Sequence, residues 1–162
     1  METLLAILLW FAALSAGIMA GVYFTFSIFA MRALEQIGPE SGMRAMQAIN
    51  DVIVRSLFLP LFALSSLACL ILAVAGAARW QTDYGPAMSL GGAAYVIGMF
   101  AVTAARNVPL NNLLAAADPA SDAGQTVWID YLARWTRWNH VRTVACTISL
   151  ALLIVAISAF PA

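Results

Sequence analysis

The chain has no lysine, one histidine and two cysteines, and only 10% of its 162 residues are charged. Each scarcity excludes a class of protein. With His140 alone and no cluster of histidine, cysteine and carboxylate, the sequence nominates no zinc or di-iron site. Cys69 and Cys146 lie in separate apolar runs, so they form neither a CxxC pair nor a disulfide framework. Both read as small helix-packing residues. No GxSxG, Ser-His-Asp set or phosphate-binding glycine loop occurs. Basic and acidic residues balance at eight each, which leaves no footprint for nucleic acid. No acidic residue falls in a long apolar run, which argues against a proton-coupled pump or an ion filter.

What is present is apolar. Hydrophobic residues make up 63% of the chain, with a mean hydropathy of +0.88. A soluble domain carries about 45–50% apolar residues and about 25% charged ones. One integral membrane domain over residues 1–162 is therefore expected. Four runs can cross a hydrocarbon core of about 30 Å: residues 3–31, 56–78, 86–105 and 143–160. Each is continuously apolar rather than alternating, so the spans are helices. The first has no preceding positive charge and is too long for a signal-peptide core. The expected fold is all-α, a transmembrane four-helix bundle with helical extensions on one membrane face.

Small residues recur every four positions as Ala13, Gly17, Gly21 and Thr25, and as Ser65, Cys69, Ala73 and Ala77. Gly91 and Gly98 mark the third span. Such faces let helix backbones approach closely, and the Gly17–Gly21 spacing also fits a homodimer contact. All eight basic residues are arginine, and seven lie in the connections 32–55 and 106–142. The positive-inside rule then puts those connections in the cytoplasm and both termini outside.

The connections carry helix signals. Gly38-Pro39 marks a turn. The helix after it, through Met43, Met46, Gln47, Asn50 and Val54, is expected to run into the second span with a bend near Pro60. The paired methionines read as packing rather than a copper(I) site. Asn107-Val108-Pro109 is expected to end the third span, because a residue before proline avoids the helical region. Pro109 would then open a short helix to about Ala117. Asp122 and Gln125 have capping-box spacing and start a helix that meets no breaker before Phe160.

On that last helix, Trp128, Tyr131, Trp135, Trp138, Asn139 and Arg142 share one face at about 100° per residue. Their stripe continues as Cys146, Ser149 and Leu153. Such a stripe is either a ligand floor or an interfacial aromatic belt. Polar groups collect at the same membrane face: Gln47 and Asn50 from the first connection, Asn107, Asn111 and Asn112 from the second, and Arg32 at the end of the first span. They form a candidate site, with arginine snorkelling and helix capping as the structural alternative. His140 points off the stripe.

Asn107-Val-Pro109-Leu-Asn111-Asn112 followed by Trp135-x-x-Trp138-Asn139-x-x-Arg142 resembles the signature of the anthrone oxygenase-like membrane proteins. The likeness extends to Gly21-Val-Tyr-Phe24-Thr-Phe26-Ser with Arg32, and to Ala45-Met-Gln47-Ala-Ile-Asn50. Members are small four-span proteins, many of them bacterial and without an assigned function. The resemblance implies a bacterial inner-membrane location. It also implies oxidation of anthrones to anthraquinones by molecular oxygen, without a metal, flavin or other cofactor. The partners it suggests are the lipid bilayer and a lipophilic aromatic small molecule, phenolic or quinone-like. Trp135 and Trp138 would form an aromatic slot, with Asn50, Gln47 and Arg32 also binding substrate. Arg142, Asn139, Asn107 and Asn111 would donate to a developing oxyanion. His140 is the only imidazole available as a base, and it is badly placed. The competing reading is a non-enzymatic membrane binding or scaffold protein whose polar cluster holds a lipid or staples the bundle.

Overall fold

A computed structural model describes residues 2–161. Its four long apolar helices are α1 (Glu2–Gln36), α3 (Phe58–Ala78), α4 (Gly85–Ala116) and α5 (Asp122–Ser158). A shorter helix, α2 (Pro39–Ile53), lies between α1 and α3. The described residues contain no strand. Around the bundle α1 packs on α3 and α5, and α4 packs on α3 and α5.

Helix length decides where the extension stands. At 1.5 Å per residue, α1, α4 and α5 measure about 52, 48 and 55 Å, whereas α3 measures about 32 Å. Only α3 matches a hydrocarbon core of about 30 Å. The other three overshoot by roughly 20 Å at the end where α3 begins. Their surplus, with α2 laid against it, forms a polar-topped extension on one face.

Two sequence expectations about breaks are corrected. Asn107-Val108-Pro109 does not break the helix of the third span: Asn107 and Val108 both keep helical backbone angles. The helix widens instead into π-turns at Val96–Ala101 and Thr103–Asn107, directly before the proline. Pro109 lacks an N–H and its ring clashes with the carbonyl four residues back. A wider turn supplies the room and removes the need for that bond. The second correction is at the α2–α3 junction. The chain breaks at Val54–Leu57, before Pro60, and Pro60 sits in the first turn of α3, where a missing N–H costs little.

Other boundaries follow local chemistry. Gly38 has φ 92°, the left-handed conformation that glycine accepts, and Pro39 opens α2. The cap of α5 is Ser121, one residue before the expected Asp122; its hydroxyl accepts from the Gly124 N–H at 3.0 Å. From there α5 runs unbroken for 37 residues.

Small residues set the packing, though not all at the expected positions. A Cβ on Gly92 would meet the backbone of Cys69 and Ala73, so α3 and α4 touch backbone to backbone there. A Cβ on Gly98 would meet the Ala145 side-chain methyl, so α4 and α5 also approach closely. On α1 the expected stripe packs only in part: Ala13 is buried and Gly17 faces Leu150, but a Cβ on Gly21 would meet nothing, and the buried face continues through Ala16, Met19 and Tyr23. Gly92→Val should therefore lower stability in detergent by at least about 3 kcal/mol, beyond the usual cost of overpacking. Gly21→Ala should stay within about 0.5 kcal/mol of the parent. Thermal unfolding of the two variants checks both values.

Candidate functional site

The stripe on α5 faces inward. Trp128, Tyr131, Trp135, Asn139, Arg142, Cys146, Ser149 and Leu153 are all buried, and Trp138 is half-buried. Spacings of three and four residues stack the first rings: Trp128 on Tyr131 and Tyr131 on Trp135, each pair with centroids 5.9 Å apart. Phe26 meets Trp135 edge to face at 5.6 Å. This ladder is a protein-facing wall rather than a lipid-facing belt.

Asn111 locks the ladder from α4. Its side-chain oxygen accepts from the Tyr131 hydroxyl at 2.9 Å and from Trp135 Nε1 at 2.8 Å. Gln47 does different work: its amide donates to the carbonyls of Leu114 and Ala117 at 2.8 and 3.1 Å, tying α2 to the end of α4. It does not line the cavity described below.

Below the ladder sits Arg142, only 5% exposed. Among the described residues no carboxylate pairs with it. Its Nη2 donates to Asn139 Oδ1 at 2.7 Å, and its Nη1 makes a long contact with Thr103 Oγ1 at 3.4 Å. The guanidinium carbon lies 4.3 Å from the Tyr23 ring centroid and 5.0 Å from that of Trp135, within range of cation–π attraction. Asn139 is held in turn, donating to the Tyr23 carbonyl at 2.7 Å and to Ser27 Oγ at 2.8 Å. Ser27 and Thr143 hydroxyls lie 3.0 Å apart, fixing α1 against α5 at this level.

A cavity of about 160 Å³ opens beside these groups. All five helices contribute to it. Tyr23, Phe26, Asn50, Phe58, Thr103, Asn107, Asn111, Trp135 and Arg142 are among its walls. Its apolar side continues through stacked Phe58, Phe62 and Phe100. Exposed Val54 and Leu59 mark a mouth at the α2–α3 turn. Three polar atoms of its lining residues are buried without a partner: the Tyr23 hydroxyl, Asn107 Oδ1 and Arg142 Nε. Buried polar groups are normally satisfied, so three at one cavity call for a ligand or water. Both π-turned helices meet here. Ser27 lies in the π-turn Phe26–Ala30, and Thr103 and Asn107 lie in the last π-turn of α4. Such turns re-aim side chains and gather at functional sites.

The structure thus brings together Arg142, Asn139, Asn107, Asn111, Trp135 and Asn50. Asn107 also donates to the Trp135 carbonyl at 3.3 Å. His140 and Arg32 lie elsewhere, in an open groove between α1 and α5. Trp138 carries Arg106 over its ring at 5.0 Å and is not part of the cavity wall. Asn112 is exposed. Tyr23, Thr103 and Ser27 are the residues that sequence reasoning did not nominate. Tyr23 had a signal: it is the one tyrosine in the charge-free first run, four residues beyond Met19 on the buried face. Thr103 depends on the π-turn and had none.

A family model described as anthrone oxygenase matches residues 46–152. No curated protein and no solved structure matches the chain.

A buried charge without a counter-charge is a poor staple. Removing a guanidinium relieves several kcal/mol of desolvation, against about 1–3 kcal/mol for leaving Asn139 Oδ1 unpaired. Arg142→Met should therefore stay within about 1 kcal/mol of the parent in thermal or denaturant unfolding. Asn111→Ala, which strips the acceptor from two buried donors, should cost about 2–4 kcal/mol. The reverse order would make Arg142 the structural residue.

Proposed function

The chain belongs to the anthrone oxygenase family, and from that premise we propose that it binds a lipophilic hydroxyaromatic as its anion and lets that anion react directly with molecular oxygen. The observation that carries the reading is Arg142, a buried guanidinium without a carboxylate, on the wall of an apolar cavity. Such a site favours an anion with a flat aromatic body. Arg142 and the Tyr23 hydroxyl would donate to its oxygen, and Trp135 and Phe26 would flank its rings.

Catalysis of this kind asks little covalent chemistry of the protein. An anthrone loses a proton from its methylene carbon to give a delocalised anion, the conjugate base of the enol. That carbanion adds O2 to give a peroxide anion, which takes up a proton. Loss of water from the hydroperoxide leaves the quinone carbonyl. The sum is one anthrone plus one O2 to one anthraquinone plus one water. Donors fixed in a water-poor cavity stabilise the first anion without reorganising. The cavity walls carry no carboxylate or imidazole. The protein's task is accordingly to select the anion, with the proton released to water as the ligand binds.

Size bears on how the substrate sits. A cavity of about 150 Å³ accommodates one benzene ring, and this one measures about 160 Å³. A second apolar groove of about 420 Å³ shares its Phe26, Ile49 and Ile53 walls. A fused tricycle would enter with its oxygen-bearing ring toward Arg142 and its remaining rings along that groove.

Oxygen uptake by the protein in lipid vesicles, with an anthrone as substrate, tests the reading. One O2 should be consumed per anthrone. Arg142→Met should lower the rate by about 10²–10³-fold, as for loss of an oxyanion donor. Tyr23→Phe should lower it about tenfold, through loss of one weaker hydrogen bond. Uptake independent of protein would overturn the proposal.

A further inference from the structure

The arginines separate into two groups by what they touch. Arg44, Arg55 and Arg134 each pair with an acid one turn back, at 3.0, 2.9 and 2.8 Å. Arg79 bonds the Ala75 carbonyl, Arg106 covers Trp138, and Arg142 lies in the cavity. Among the described residues, Arg32 and Arg137 have neither an ion pair nor a side-chain hydrogen bond. Both line the same open groove of about 770 Å³ between α1 and α5, together with His140.

Depth gives the groove a meaning. Ser27 and Thr143 mark one level, since their hydroxyls lie 3.0 Å apart, and Thr143 begins the apolar part of α5. Arg32 is five residues beyond Ser27 and Arg137 six residues before Thr143. At 1.5 Å per residue both stand about 8–9 Å outside the hydrocarbon edge. The headgroup layer occupies about 5–8 Å on each side of the core, so both residues stand at its outer edge, from which an arginine side chain reaches inward to the phosphates. His140 is lower, near the edge, and Ile28 and Met31 supply an apolar floor beside it. Glu35, the groove's only acid, lies one turn farther toward water than Arg32.

We propose that this groove is a binding site for one anionic phospholipid, its phosphate between Arg32 and Arg137 and an acyl chain along Ile28 toward the membrane. Two unpaired cations face one outlying carboxylate, so the complementarity is to a negative headgroup. The site is separate from the Arg142 cavity. Ser27 links the two at one remove, as a wall of the groove and a hydrogen-bond partner of Asn139, which in turn accepts from Arg142.

Native mass spectrometry of the detergent-solubilised full chain, titrated with phosphatidylglycerol, phosphatidylcholine or inorganic phosphate, tests this. One phosphatidylglycerol should be retained, at least tenfold more tightly than phosphatidylcholine. A basic residue near an anionic headgroup contributes about fivefold, so the R32Q/R137Q protein should lose roughly 30-fold in that affinity. R44Q/R55Q, which alters exposed and already paired arginines, should lose none. Equal retention of the two lipids by the parent protein would overturn the proposal and needs no variant. So would displacement of the lipid by equimolar inorganic phosphate, which would make the groove a free-anion site.

Discussion

A guanidinium held out of water without a counter-charge is the constraint around which the extension is arranged. Arg142 would be costly anywhere in a bundle of this composition, because a lone buried ion forfeits several kcal/mol of hydration. The surrounding structure reduces that cost without cancelling it. Asn139 takes one N–H, Tyr23 and Trp135 present ring faces, and Thr103 lies at the limit of bonding distance. A carboxylate at this position would neutralise the site, and the chain places its exposed ion pairs elsewhere, on Glu40, Asp51 and Asp130. The positive charge therefore remains available to whatever enters the cavity.

The rest of the fold follows from presenting that charge at the membrane boundary. Three helices are longer than a hydrocarbon core of about 30 Å requires, while α3 matches it, and α2 lies over the end where α3 begins. Width is supplied by the π-turns. On α4 they absorb Pro109 and rotate Thr103 and Asn107 toward α5; on α1 they carry Ser27 toward Asn139. The ladder from Trp128 to Trp135, fixed by Asn111, makes the opposite wall rigid. The result is a small, largely apolar chamber lined by Arg142, Tyr23 and Asn107, with its mouth at the α2–α3 turn.

Much of this was legible in the sequence. Hydropathy alone gives four spans, and the periodicity of Trp128, Tyr131, Trp135, Asn139 and Arg142 gives the inward face of α5 and the depth of the polar cluster. What was not legible has physical causes. Pro109 reads as a helix end because proline rules assume α-helical register, and a π-turn suspends that assumption. Thr103 joins the cluster only after that change of register. Gly21 has the spacing of a packing glycine, but spacing does not say which side of a helix meets a neighbour. Gln47 and Asn50 lie one turn apart, yet one ties helix ends together and the other lines the cavity. That division depends on how the end of α4 is carried over α2; its position near Ala117 was legible in the sequence, its continuity with the third span was not.

The central claim is that Arg142 makes the cavity selective for an aromatic anion. An anaerobic optical titration addresses it most directly, with an anthrone added to the protein in vesicles at a pH where the free compound is neutral. The account predicts the red-shifted absorption of the anion on binding, one proton released per ligand bound, and loss of both in Arg142→Met. Binding of the neutral form, with equal affinity in the parent and Arg142→Met proteins, would contradict it.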